Sequence, residues 1–125
     1  MGLHIDTSRV EPGIVVVLLQ GSITSWLEVR LDDLFVDDLL RQGERKLIVD
    51  LTGIDQMDSS GMHLMYACFS RAREAGAELR FAGASARISR LFKITQLDAV
   101  LPFYATVAAA KESFAAQTGT GGHGL

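Results

Sequence analysis

The chain has 125 residues, with 12 Lys and Arg against 15 Asp and Glu for a net charge of −3, and is 48% hydrophobic and 22% charged. That length suits one compact domain that buries roughly two-thirds of its unfolded surface, so folding requires neither a disulfide nor a structural metal. The composition excludes a disordered or fibrous chain, and the acidic balance argues against direct nucleic-acid binding, which wants a basic excess.

Cys68 is the only cysteine, which excludes an internal disulfide and a Cys-based zinc site. His4, His63 and His123 are too scattered for local metal-ligand spacing, so no metal and no cofactor is expected. The longest apolar run, Ile14 to Leu19, is six residues against the roughly 20 that span a bilayer. Asp6 and Glu11 stand where a signal peptide would be basic. The expectation is a soluble, cytoplasmic domain with no membrane insertion.

Leu3, Ile5 and Thr7 alternate with His4, Asp6 and Ser8, a period-two pattern that predicts a strand ahead of a Pro12-Gly13 turn. Ile14 to Leu19 is a β-branched run apolar on both faces, a buried strand that pairs with the first as a hairpin. From Trp26 to Gln42 the period changes. Leu27, Leu31, Leu34, Phe35 and Leu39 recur at helical spacing opposite a charged face, and Gly43 is placed to end the helix. Trp26 reads as a staple for the start of that helix, with a partner anchor as the alternative.

Lys46 to Leu51 predicts the next buried strand, followed by a loop from Thr52 to Met57. A second helix follows, with Leu64, Met65, Cys68, Phe69 and Ala72 on one stripe and Gly76 as its stop. Ala77 to Ala82 alternates as a strand, Ile88, Leu91 and Phe92 mark a helix after Ser85, and Val100 to Tyr104 reads as an edge strand because of Pro102. Val107, Ala110 and Phe114 give a last helix, and four glycines between Gln117 and Leu125 predict a frayed tail. The order ββαβαβαβα argues for an α/β domain with a partly parallel sheet.

Most catalytic motifs fail on physical grounds. Gly119 to Gly124 spells GxGxxG, but the pattern works only between a strand and a helix N-terminus, and one residue follows it here. No Walker phosphate loop and no GxSxG elbow is present. His63 lies three residues after Ser60, yet no third group completes a catalytic triad, and a solvated histidine is the simpler reading. Asp50, Asp55 and Asp58 read as loop and capping acids, not as a hard-cation site. Cys68 falls on the apolar stripe as a small hydrophobe.

What remains is Asp58-Ser59-Ser60-Gly61, where an acidic loop meets an amphipathic helix. Asp and Ser are preferred N-caps, and a purely structural role follows from that. One cap uses only one of the three polar side chains, however. A free serine hydroxyl in the first turn is suited to phosphorylation, because a helix N-terminus tolerates the added charge of about −1.5 to −2. Asp55 and Asp58 beside it would make that surface still more negative.

The segment Leu47 to Gly61, reading LIVDLTGIDQMDSSG, resembles the signature of STAS domains, the anti-sigma factor antagonist family. The likeness continues through Arg71 to Gly76, through Ala84 to Asp98, and through Leu101 to Tyr104, covering roughly residues 3 to 116. It implies a single domain over residues 1–117, with a mixed, mostly parallel sheet of about five strands packed with about four helices; the Gly-rich composition makes 118–125 a flexible tail. It also implies a bacterial, non-enzymatic regulator of sigma-factor-dependent transcription. Such a protein binds an anti-sigma factor with serine-kinase activity when unphosphorylated, releases it when phosphorylated, and is reset by a serine phosphatase. The family's modified serine corresponds to Ser60. The helical register turns Ser59 further from the core stripe, which keeps Ser59 as the alternative.

Partner contacts are then expected from Ser22, Thr24, Asp55, Asp58, Ser59, Ser60 and Gly61, with no catalytic residue. Gly61 is expected to let the partner approach closely. The chain departs from the family at Gly21-Ser22-Ile23-Thr24, where the family commonly has Gly-Glu-hydrophobic-Asp; this bears on which kinase is recognised. The competing readings are a STAS module of another assembly, such as a stress-signalling complex or transporter accessory subunit, and a small-ligand or nucleotide-binding domain using the acidic loop.

Overall fold

A computed structural model of the chain describes residues 3–11, 13–23 and 35–121. Alternating and helical segments appear in the predicted order. They are β1 (Leu3–Glu11), β2 (Ile14–Ile23), α1 (Phe35–Arg41), β3 (Lys46–Met57), α2 (Ser59–Glu74), β4 (Glu78–Ala82), α3 (Ala86–Ile94), β5 (Phe103–Tyr104) and α4 (Val107–Gly121). The sheet runs β1-β2-β3-β4-β5, antiparallel only between β1 and β2 and parallel thereafter. Trp26, Thr24 and the first part of the predicted helix before Phe35 lie outside the described residues, as do Pro12 and residues 122–125. Helical backbone in α4 continues to Gly121, into the segment expected as a tail.

Period-two alternation sorts the central strands into two cores. Val15, Val17, Leu19, Leu47, Val49, Leu51, Leu79 and Phe81 face α1, α2 and α3, and pack there with Val36, Met65, Cys68, Ile88 and Phe92. Ile14, Val16, Ile48 and Ala82 face the other way, onto Ala110 and Phe114 of α4. A strand covered on both faces is apolar on both, which is what the runs at residues 14–19 and 47–49 supply before Asp50 ends the second. The α4 face is held by polar contacts as well. The Arg80 guanidinium stacks 3.9 Å from the Phe114 ring centroid and pairs with Glu78 at 2.8 Å. Hydrogen bonds with Ser113 and with Arg80 hold the Tyr104 phenol below its ordinary pKa.

The predicted helix stops are where the glycines put them. Gly43 and Gly76 have φ of +90° and +80°, a conformation that costs glycine little and other residues much. Ser85 caps α3, its hydroxyl accepting from the Ile88 N–H at 3.2 Å.

Two further boundaries differ from the sequence reading. The segment Thr52 to Met57, expected as a loop, is strand: β2 and β3 stay paired from Leu18↔Asp50 to Ile23↔Met57 through two register shifts. Loop-like residues are tolerated there because the neighbouring backbone supplies the hydrogen bonds, and bulges absorb the irregularity. Gly53 fits this crowding, since a Cβ on it would lie 2.8 Å from Gln20 Cγ and 3.0 Å from the Leu19 carbonyl oxygen. β1 runs to Glu11, the extent expected of it, with a bulge between Arg9 and Glu11. The last strand is shorter than Val100 to Tyr104, because Leu97–Ala99 forms a 3-10 turn and pairing begins only after Pro102. β5 is an edge strand, as Pro102 required.

The extension of β2 and β3 sets the position of α2. The Ile23 carbonyl at the end of β2 accepts the Asp58 N–H at 3.3 Å, tying the start of α2 to the neighbouring strand. Gly61 then passes directly over the same carbonyl. A Cβ on Gly61 would lie 2.3 Å from Ile23 O and 2.7 Å from Met57 Cγ. Helix propensity alone favours alanine over glycine by about 1 kcal/mol, but the clash with a backbone oxygen cannot be relieved by a side-chain rotation. Gly61→Ala is therefore expected to lower stability by about 1–3 kcal/mol, read as a reduced midpoint in urea denaturation.

Cys68 lies fully inside the main core, and burial pushes its thiol up to about 12, with Arg71 acting weakly in the opposite direction. Only the thiolate is a competent nucleophile. Alkylation of the native protein by iodoacetamide at neutral pH should be slow and should accelerate at the unfolding midpoint. Rapid alkylation without denaturant would contradict the packing.

Candidate functional site

The carboxyl ends of β2 and β3 and the first turn of α2 meet at one corner, the place where open α/β sheets commonly present their binding groups. Asp58 is the helix N-cap. Its backbone is extended, and its Oδ1 accepts from the Gly61 N–H at 3.0 Å. The cap is thus supplied by the carboxylate, which leaves both serines to other uses. Ser59 and Ser60 are the first two residues of α2; both are exposed, and neither hydroxyl makes a hydrogen bond within the described residues.

Ser22 comes to the same corner from β2. Its hydroxyl donates to Asp55 Oδ1 at 3.2 Å, joining residues 33 apart in the chain. That contact follows from the strand pairing Ser22↔Gln56 and Ile23↔Met57. Asp50 belongs elsewhere: its Oδ1 accepts from the Thr52 hydroxyl at 2.6 Å and the Thr52 N–H at 3.0 Å, a local turn contact. The three aspartates therefore act separately, and among the described residues no group of three or more His, Cys, Asp and Glu side chains could hold a metal ion.

Of the predicted partner-facing residues, Ser22, Asp55, Asp58, Ser59 and Ser60 are brought together; Thr24 lies outside the described residues. Gly61 requires a correction. It is buried beneath the helix mouth, and its missing side chain makes room for the Ile23 carbonyl and Met57, not for an approaching partner.

Within β3 and α2 the charge at the corner is one-sided. No Lys or Arg occurs between residues 47 and 70, whereas Asp55 and Asp58 both lie at the mouth. His63 is exposed one turn into α2.

Sequence reasoning missed the apolar shoulder beside this mouth. Thr95 Oγ1, at the end of α3, lies 4.0 Å from Met62 Sδ and so brings the α3 exit against the first turns of α2. There His63, Tyr66 and Leu97 line an open cavity of about 230 Å³. Ile94 stands next to it in sequence and is 68% exposed. The readable sign was Tyr66, an aromatic residue off the buried stripe of its own helix. Gln96, at φ +64°, makes the turn that presents Leu97.

Comparison with known proteins agrees with the fold. An anti-sigma-B factor antagonist of Listeria monocytogenes is 26% identical over 101 residues, which is 81% of this chain and 88% of the relative. The crystal structure of an anti-sigma factor antagonist from Mycobacterium paratuberculosis superposes with a TM-score of 0.77 at 18% identity, covering 90% of this chain and 93% of that one. The phosphorylated form of the Bacillus cell fate determinant SpoIIAA gives a TM-score of 0.64 at 16% identity, covering 88% and 99%. A family model for the STAS domain matches residues 7–110, from β1 into α4, and this chain belongs to the STAS domain family.

Proposed function

We propose that this domain is a non-enzymatic anti-sigma factor antagonist whose grip on its partner is set by phosphorylation at the mouth of α2. The single observation that carries the reading is the division of labour at that mouth: Asp58 caps the helix, and two exposed serine hydroxyls stand unused beside it. The names of the curated relatives support the general role, and a structural neighbour known in a phosphorylated form supports the chemistry.

The partner is an anti-sigma factor with serine-kinase activity. In the unphosphorylated state it rests on Ser59, Ser60, Ser22 and Asp55, and on the apolar shoulder formed by Tyr66 and Leu97. Phosphate is added to Ser60, with Ser59 as the alternative acceptor. The helix N-terminus tolerates the new charge, so the fold is retained. The docking surface does not tolerate it equally well. A dianion beside Asp55 and Asp58 has to be desolvated against the partner, and a partner matched to the unmodified acidic corner then meets excess like charge. A serine phosphatase restores the binding form. Ser22, in place of the acid that the family commonly carries at that position, donates to Asp55 and so blunts one of the two carboxylates.

Ser60→Ala is expected to bind the kinase partner with parental affinity and to accept no phosphate, while Ser60→Asp should weaken binding ten- to hundredfold, about 1.4–2.8 kcal/mol. Calorimetry against the purified partner, with mass spectrometry of the kinase-treated parent, measures both. Equal affinity of the two variants would remove the switch.

A further inference from the structure

We propose that His63 is the counter-ion of the phosphorylated helix mouth and makes that state sensitive to pH near neutrality. The inference rests on the phosphoserine reading above and adds a residue and a control to it.

His63 follows Ser59 by four residues and Ser60 by three, the two spacings that place side chains side by side on a helix. Helical side chains lean toward the N-terminus, so an imidazole at 63 covers the turn that holds both serines. No Lys or Arg lies between residues 47 and 70, and none lies in β2. Within the strands and helix that build the corner, His63 is thus the basic group available to a phosphate on either serine.

Among the described residues, the groups placed near His63 are these. Asp58, at the mouth, is engaged by the Gly61 N–H, and Asp55 receives the Ser22 hydroxyl. Tyr66 stands one turn along α2, and from the α3 exit Leu97 shares the cavity wall. Asp98 lines a different cavity, together with Lys93 and Phe103. Lys93, the one basic group among these, lines that other cavity and not the one His63 shares.

An unperturbed imidazole and the second ionisation of a phosphate ester titrate near pH 6.5 and near pH 6 respectively. Side by side, each favours the charged form of the other. The imidazole then takes up its proton at higher pH and the phosphate loses its second proton at lower pH. The pair is complete between those two midpoints and is lost as pH rises through the imidazole midpoint. Linkage makes the effect reciprocal: what the phosphate does for the imidazolium, the imidazolium does for the phosphate. Protonation also places a charged ring on the wall of the cavity that Tyr66 and Leu97 share, so the modification reaches the apolar shoulder as well as the mouth.

The test uses the full chain with phosphoserine installed co-translationally at position 60, in the parent and in His63→Gln. Phosphorus NMR between pH 4.5 and 9 reads the phosphate, and proton–carbon NMR of the histidine rings reads His63. The expected result is a phosphate midpoint about half a pH unit or more lower in the parent than in His63→Gln, with the His63 midpoint higher in the phosphorylated than in the unmodified protein. Coincident phosphate titrations, or a His63 midpoint that does not move, overturn the inference. Because the phosphate is installed without a kinase, this outcome is separate from that of the preceding proposal. A kinase that ignores Ser60 would defeat the switch and leave the ion pair standing, whereas a working switch with an unmoved His63 would defeat the ion pair alone.

Discussion

The Ile23 carbonyl is the contact on which the arrangement of this domain turns. It accepts the Asp58 N–H, and it lies so close beneath Gly61 that any side chain there would collide with it. One backbone oxygen at the end of β2 therefore fixes both the start of α2 and its depth against the sheet. If the helix were lifted by the width of a methyl group, the cap geometry, the exposure of Ser59 and Ser60 and the reach of Ser22 toward Asp55 would all change together. A parallel β-α junction is well suited to such a role, since it delivers a helix N-terminus and strand carboxyl ends to the same corner.

Electrostatics give that corner its responsiveness. The helix mouth favours negative charge through its orphan amides, while the neighbouring carboxylates oppose it. These tendencies act on different processes: the first concerns whether the modified domain stays folded, the second whether another macromolecule can cover the modified surface. Between residues 47 and 70 no Lys or Arg offsets the carboxylates from within the segment. The apolar shoulder beside the mouth supplies the complementary ingredient, because burial of Tyr66 and Leu97 would drive association that charge alone would not.

Much of the fold was legible because the governing signals are local and periodic. Apolar runs covered on both faces, helical stripes, Gly43 and Gly76 as stops and Ser85 as a cap all lie where short-range chemistry puts them. Thr52 to Met57 was not legible. Its Asp, Gly and Gln residues read as a loop, and the strand exists because β2 supplies ladder hydrogen bonds from more than thirty residues away. Gly61 was misread for a related reason: a glycine near a candidate site invites a role toward the partner, but the atom that excludes its side chain belongs to β2.

By itself the sequence determined the alternation of elements, the apolar runs of the central strands and a helix start at Asp58-Ser59-Ser60 with more caps than it needs, since each follows from propensities and spacings within a few residues. Tertiary structure alone decided that Ser22 meets Asp55, that Gly61 serves packing, and that Leu97 and Tyr66 form one shoulder with His63. Those relations depend on register and crossing between segments far apart in the chain. Periodicity states which face a residue occupies; it does not state which distant backbone will be waiting there.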